Sequence, residues 1–537
     1  MRSLFAFVLL LVTAVLSGCA HQADWVRVDH PIAAPPEPVQ EFRGLWVATV
    51  DNIDWPSEPG LSRVAQKAEA VRILDLAVEL RLNAIVLQVR PCADALYRSP
   101  YEPWSAFLTG EQGKNPGYDP LAFWIEEAHA RGLDLHAWIN PFRAWHPMTP
   151  GNPAKNSIVT KRPEFLVEFG EYFWLDPGDR QASKLTLSVI EDIVRRYDID
   201  GLHVDDYFYP YPVEGVPFND SRSFDAYAAT GGKLDKSNWR RHNIDRFVRD
   251  MYASVKRHRP EVLVGISPFG IWRPGHPEGV VGFDAYEGLA ADAKRWLREG
   301  WLDYVSPQLY WKIESEGQPF KPLLDWWAGN NPAGRHVWPG IYLTRIKAEG
   351  GWAPDDITSQ IELLSAHPEA NGFVLFSAVG MTEDRQSINN ALSMVLPDHA
   401  NTPDSPWLGT NTTRSPTVRI KVGSELSRVS ISGMPRDAEG WVLWTKAGEI
   451  WESLDMPATL TTASVPDYKG VDPVLCIAVQ PIHAGGRRGS SVVFRRIIPA
   501  PAQPAELLKT DRGDHCRTTG RVVIVRPEHN LGSGLCQ

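Results

Sequence analysis

Residues 184–206 read KLTLSVIEDIVRRYDIDGLHVDD, and this stretch decides the fold. Lys184–Tyr197 is an amphipathic helical run, and Gly201–Asp206 is a short apolar strand ending on two aspartates. A strand entered from a helix is half of a βαβ unit, which builds a parallel sheet. The same alternation runs outward in both directions. Upstream strand candidates are Phe42–Thr49, Asn83–Arg90 and Leu133–Asn140; downstream ones are Val262–Ser267, Tyr304–Tyr310, His336–Tyr342 and Gly372–Ser377. Arg63–Arg81, Pro120–Arg131 and Arg240–His258 are helical stretches between them. Eight strands in about 350 residues fit an α/β fold of the (β/α)8 TIM barrel type with enlarged loops. An open doubly wound sheet would place a glycine-rich phosphate loop after its first strand, and none follows Thr49.

The barrel is expected over 41–398. After Asn401 the texture changes to short β-rich segments separated by Gly, Pro and Ser: Thr417–Val422, Arg428–Ser432, Gly440–Trp444, Val474–Gln480 and Ser491–Ile498. These predict a small all-β sandwich of the fibronectin type III kind over 410–500, followed by a C-terminal tail, 501–537.

The chain has 537 residues, with 55 Lys+Arg against 65 Asp+Glu (net −10) and 43% hydrophobic residues, which speaks against a wholly disordered chain. An acidic balance without a long basic run makes nucleic acid an unexpected partner. No His-x-x-x-His pair and no paired Cys/His spacing occurs, so no metal and no cofactor is expected.

Residues 1–19 read MRSLFAFVLLLVTAVLSGC: one Arg, an apolar stretch, then small residues. This is secretory signal architecture, with 1–18 as the signal peptide. Leu16-Ser17-Gly18-Cys19 resembles the lipobox of bacterial lipoproteins, in which Cys19 becomes the lipidated first residue. Ala20, standing where an Asp would favour inner-membrane retention, points to an outer-membrane lipoprotein facing the periplasm. Pro31, Pro35, Pro36 and Pro38 make 19–40 a semi-rigid tether. In an oxidising periplasm a Cys516–Cys536 bridge closing the tail is one option.

Side chains alternate across a strand, so Leu202 and Val204 should face the helices while His203 and Asp205 face the lumen. The same parity turns Gln88, Arg90, His136, Trp138, Asn140, Ser267, Gln308 and Tyr310 inward. Barrel chemistry sits at the C-terminal ends of the strands, where a purely structural lumen carries branched apolar groups. This polar cluster is therefore the strongest site signal. Asp205 is the better lumen carboxylate, held ionised by Arg90 or His203. Asp206 reaches the lumen only if the strand has already turned into its loop, and otherwise caps backbone amides.

Cleaving a glycosidic bond needs a second carboxyl group kept protonated by an apolar setting. Glu314, just past Tyr310-Trp311, is the candidate, with Asp51 and Asp54 beside Trp55 as alternatives. Trp46, Trp55, Trp138, Trp145, Trp272 and Trp311 lie in or just after barrel strands, where flat aromatic faces suit sugar rings; the competing reading for each is core packing. His129 and His146 read as surface residues, and His203 equally well as a core or a catalytic histidine.

Five motifs in order make the likeness specific. Glu41–Val47 (EFRGLWV), Asn83–Arg90 (NAIVLQVR), Asp200–Pro210 (DGLHVDDYFYP), Gly265–Arg273 (GISPFGIWR) and Ser306–Trp311 (SPQLYW) resemble the glycosyl-hydrolase-like family ten domain over about residues 41–395. The resemblance implies a (β/α)8 barrel in an envelope lipoprotein that cleaves amino-sugar glycans. One member is a cell-division-associated hydrolase of peptidoglycan strands stripped of their stem peptides. The implied partners are peptidoglycan glycan strands and a cell-division or cell-wall protein. The candidate catalytic set is Asp205, Asp206 and Glu314; the candidate substrate-binding set is Arg90, Gln88, Trp138, Asn140, His203, Tyr207, Trp272, Gln308, Tyr310 and Trp311.

A weaker likeness runs to the chitinase motif Asp-Gly-x-Asp-x-Asp-x-Glu. Asp200, Gly201 and Asp205 keep its frame, but His203 replaces the middle Asp and Tyr207 stands at the Glu position. That departure speaks against a chitinase-type mechanism, and it supports an alternative, a catalytically silent glycan-binding envelope lipoprotein.

Overall fold

The strands begin where β-branched and aromatic runs begin, and they pair in the order that the alternation demands. Phe42–Val47, Ala84–Arg90, Asp134–Ile139, Gly201–Val204, Leu263–Ile266, Tyr304–Val305, His336–Val337, Gly340–Ile341 and Gly372–Leu375 form one nine-stranded parallel sheet. The coordinates, a computed structural model, describe residues 25–28, 34–36, 39–346, 351–409, 416–423, 425–434, 438–470, 472–483 and 488–497. The signal peptide, Cys19, the 501–537 tail and the Cys516–Cys536 pair lie outside the described residues.

Pro339 has no N–H to give a ladder, so it splits the seventh strand in two. His336–Val337 pairs with Tyr304–Val305 on one side, and Gly340–Ile341 pairs with Val374–Leu375 on the other. The two outermost strands of the sheet are thus consecutive pieces of one segment, and the sheet curls into a TIM-barrel-like arrangement. Helices follow the strands in turn: Arg63–Glu79, Pro120–His129, Arg180–Arg196, Lys236–His258, Ala293–Arg298, Phe320–Gly329, Pro354–Ser365 and Ile388–Val395. Ser62, Asp119, Asp179 and Asp235 cap the first four of these by accepting from backbone amides of the first turn.

Two hydrophobic layers bear out the parity reading. Leu45, Ile85, Leu135, Leu202 and Val204 pack outward against helical residues such as Leu74, Trp124, Ile190 and Phe247. Phe42, Trp46, Val86, Trp138, Tyr304, Trp338 and Val374 fill the lumen. The lumen is crowded enough to dictate glycine: a Cβ on Gly265 would lie 1.9 Å from the Tyr304 ring, and one on Gly201 would lie 2.3 Å from His136.

Among the described residues from 416 onward the regular elements are all strands. Thr417–Lys421, Leu426–Ser432 and Thr462–Pro466 form one antiparallel sheet; Trp25–Val28, Val492–Arg496, Asp472–His483, Ala438–Ala447 and Ile450–Pro457 form a second. Val429, Ile431 and Val465 from the first share a core with Trp441, Leu443, Ile477 and Val479 from the second. The 19–40 tether needs correction. Trp25–Val28 is a strand paired with Val493–Arg496, and Val39–Gln40 pairs with Ala400–Asn401. Barrel and β region fall in one compact unit, Trp25–Arg496.

Candidate active site

The ladder of the fourth strand stops at Val204, so Asp205 and Asp206 already belong to the turn that leaves the barrel mouth. That release from strand geometry lets both carboxyls be buried, with 3% and 1% exposure. Asp205 is gripped by donors from the third strand: the Trp138 indole N–H donates to Oδ2 at 3.0 Å, and the Asn140 amide donates to the same oxygen at 3.1 Å. The Tyr207 backbone N–H adds a longer contact to Oδ1, 3.4 Å. Asn140 is oriented in turn, because its Oδ1 accepts from the backbone N–H of Phe142 and Arg143, at 3.3 and 2.8 Å. The Arg143 guanidinium lies 5.0 Å from the centre of the Tyr207 ring. Burial pushes Asp205 up to about 6, while the Arg143 charge and these donors pull the other way.

Asp206 has a poorer set of partners. Its Oδ2 accepts from the Tyr211 hydroxyl, and the Gln308 side chain reaches it as well. Burial pushes it up to about 7, the Tyr211 bond opposes this, and the neighbouring Asp205 charge raises it further. Two carboxyls, adjacent in sequence, are thus both raised by burial while different partners meet them, an indole and an amide on Asp205 and a phenol on Asp206. Aromatic side chains wall the mouth. Tyr207 meets Tyr211 at 5.6 Å, Tyr211 meets Phe269 at 6.2 Å, Phe269 meets Trp311 at 5.6 Å and Tyr310 meets Tyr342 at 4.6 Å. Burial first, and then the Asp206 charge, raises the phenols of Tyr207, Tyr211 and Tyr310.

The structure therefore brings Asp205, Asp206, Trp138, Asn140, Tyr207, Gln308 and Tyr310 together, with Trp311 in the aromatic wall through Phe269. Other expectations require correction. Glu314 is exposed on the loop after the sixth strand, which is not the apolar setting a protonated acid needs. Arg90 is fully buried, its Nε donating to both oxygens of Glu102 and its Nη1 to the carbonyls of Asn140 and Pro141 at 2.6 and 3.1 Å. It braces the exit of the third strand and leaves Asp205 to Arg143. Gln88 Oε1 accepts from Thr49 and Val50 N–H at 3.0 and 2.9 Å, so it fixes the loop after the first strand.

His203 is a core histidine. It lies within hydrogen-bond distance of Tyr304 and Ser267, both at 3.0 Å, accepts from the Trp46 indole at 3.3 Å, and is driven by burial well below its usual range. Trp272 stacks on Trp326 at 5.6 Å and donates its indole N–H to Asp292, so it is tied to the neighbouring helices. Trp46 and Trp55 are buried packing residues. Asp51 is exposed. Asp54, raised to about 6 by burial, accepts from Ala48 N–H, the Ser377 hydroxyl and Val379 N–H, linking the loops after the first and last strands. His129 is half-buried against Asp200 at 2.8 Å rather than free on the surface, and His146 is half-buried against Tyr172 at 5.2 Å.

Arg143 and Tyr211 were missed. Arg143 follows the strand-ending Asn140 by three residues, and Tyr211 closes the aromatic run Tyr207-Phe208-Tyr209-Pro210-Tyr211. Both stand beyond the ends of the barrel strands, where the parity of those strands no longer applies.

Residues 41–351 match the family described as Glycosyl hydrolase-like 10, more than half of the chain. The chain is 37% identical over 400 residues to "Glycosyl hydrolase YngK" of Bacillus subtilis (strain 168), covering 72% of this chain and 78% of that protein. It is 32% identical over 404 residues to "Glycosyl hydrolase DigH" of Escherichia coli (strain K12), covering 69% of this chain and 91% of that protein. Among solved structures, the PgaB (BpsB) glycoside hydrolase domain from Bordetella bronchiseptica aligns with a TM-score of 0.45 at 12% identity, over 67% of this chain and 99% of that one. On the extent of the family match and on these relatives, the chain belongs to the glycosyl hydrolase-like 10 family of glycoside hydrolases.

Proposed function

We propose that this glycoside hydrolase cleaves peptidoglycan glycan strands, a peptide-free amino-sugar polymer, with Asp205 and Asp206 as its reacting carboxyls. The observation that carries the reading is the pair of buried neighbouring carboxyls at the mouth of a curled parallel sheet, Asp205 held by the Trp138 indole and the Asn140 amide and Asp206 by the Tyr211 hydroxyl. Near neutral pH, Asp206 retains a proton and gives it to the leaving glycosidic oxygen as the C1–O bond breaks. Asp205 is ionised; it steadies positive charge at the anomeric carbon and takes a proton from the water that adds there. Exchange with solvent resets both groups. Trp138, Tyr207, Tyr310 and Trp311 offer flat faces to the sugar rings, and Asn140 and Gln308 hold the carboxyls in place.

The peptidoglycan substrate is supported by the family likeness together with the signal-like and lipobox-like N-terminal sequence; in this reading the chain is anchored through lipid on Cys19 to the outer membrane and faces the periplasm. In this reading the C-terminal β region is a fibronectin type III-like sandwich suited to a cell-wall or cell-division protein partner. The experiment compares release of reducing ends from peptide-free glycan strands by the wild type, Asp205→Asn and Asp206→Asn. Loss of release in both variants is expected. Equal release by all three removes these carboxyls from the chemistry. Tight strand binding by the wild type without any release selects the silent, glycan-binding reading, which the Tyr at position 207 favours.

A further inference from the structure

Away from Asp205 and Asp206, a cavity of about 440 Å³ opens between the loops after the second and third strands and the helix Arg180–Arg196. Its floor is apolar, made by Ile158, Phe165 and Leu185. Lys161 and Lys184 stand on its walls, Asn156, Gln181 and Ser188 add neutral hydrogen-bonding groups, and Tyr101, 48% exposed, forms part of the rim.

The charges around this cavity do not cancel. Arg162 is engaged by Glu164 and lies 3.9 Å from the centre of the Phe165 ring. Glu102 is held by Arg90 with its side chain only 2% exposed, so it offers no counter-charge to the cavity. Lys161 and Lys184 form no ion pair among the described residues. Unpaired ammonium groups over an apolar floor, with amides and a hydroxyl between, suit a ligand that carries an anionic group on a flat, partly apolar, hydroxylated ring. The volume lies within the range of small-ligand sites. The wall is also rigid: Glu102 is joined through Arg90 to the Asn140 carbonyl, and the Asn140 amide in turn donates to Asp205.

We propose that this cavity is a second carbohydrate subsite, selective for a carboxylate-bearing sugar, with Lys161 and Lys184 taking the carboxylate and Tyr101 with the apolar floor taking the ring. That its occupant is a sugar rests on the glycan-hydrolase reading above.

The test titrates the intact protein with N-acetylmuramate and N-acetylglucosamine, a matched pair in which only the first carries a lactyl carboxylate. The comparison protein is Lys161→Gln/Lys184→Gln, whose altered side chains are exposed and outside the core. N-acetylmuramate should bind the wild type in preference to N-acetylglucosamine, weaken with salt, and lose about tenfold in affinity in the double variant. Equal affinity of wild type and variant for N-acetylmuramate overturns the subsite, as does equal affinity of the wild type for the two sugars. Reducing-end release is read on the same samples. Intact hydrolysis with charge-blind binding rejects the subsite and keeps the hydrolase reading. Charge-dependent binding without hydrolysis does the reverse.

Discussion

Asp205 and Asp206 differ in what surrounds them more than in where they are. Asp205 has an indole, an amide and the Arg143 charge; Asp206 has the Tyr211 phenol, the Gln308 side chain and a like charge beside it. In the proposed mechanism, with Asp205 raised to about 6 and Asp206 to about 7, the productive pair has the first ionised and the second protonated. Below the lower value Asp205 gains a proton, and above the higher one Asp206 loses its own. The pH profile of kcat/KM should therefore be a bell peaking in mild acid to neutral solution, its limbs belonging to the pair. A profile flat from about pH 5 to about pH 9 removes the pair from the chemistry. Arg143→Met takes away the cation that holds Asp205 down, so the acidic limb should move up by roughly one pH unit, and Arg143→Lys should restore it. The same burial is a stability cost. Asp206 has a folded value near 7 against 3.8 in an ordinary setting, so the unfolded chain holds fewer protons than the folded one between those values and stability falls as pH rises through them. Asp206→Asn abolishes that loss. It should raise stability by about 2–4 kcal/mol above pH 7, with a smaller gain near pH 5 and little near pH 4, as read by thermal unfolding at each pH.

Among the elements, the alternation of strands and helices was legible because each strand is a short apolar run and each helix a longer amphipathic one. Period-two alternation also separated lumen from helix face correctly, as Leu202 against His203 demonstrates. What alternation cannot report is height along the barrel or the identity of a distant partner. Arg90, Gln88 and His203 do not line the mouth as expected: their partners Glu102, Thr49 and Tyr304 come from other parts of the chain, and no local pattern announces them. The apolar runs extend past the strand ends for a related reason. Pro307 and Pro339 break ladders, and the fourth strand releases Asp205 into a turn whose geometry depends on Trp138 and Asn140 from its neighbour. Glycine in the lumen offers a direct test of this layer. Gly265→Ala drives a methyl into the ring of Tyr304, whose hydroxyl meets both His136 and His203. The expected loss is about 3 kcal/mol in denaturant unfolding, and an unchanged midpoint would mean that the lumen is looser than its packing implies.

At the scale of the whole molecule, the chain crosses from the β region into the barrel and returns. Trp25–Val28 pairs with Val493–Arg496 before the first barrel strand begins, so the β region is completed by residues far apart in sequence. Trp25 is half-buried against the core shared by the two β sheets, and its indole N–H donates to the Ser427 hydroxyl at 3.2 Å. The sequence hid this strand because it lies between the stretch that resembles a lipobox and a run of prolines, where a spacer is the ordinary expectation. A shortened form for assay must therefore begin upstream of Trp25. A chain starting at Val39 leaves the Val492–Arg496 edge unpaired and uncovers the apolar cluster that Trp25 shields. The β region should lose about 2 kcal/mol by burial alone and should be cleaved faster by protease around residues 492–496. Barrel residues keep their contacts, so initial rates of reducing-end release should match those of a chain starting at residue 20. Equal protease resistance of the two chains would show that the N-terminal strand adds nothing to the β region; a parallel loss of activity would show that the barrel depends on the β region for its own fold.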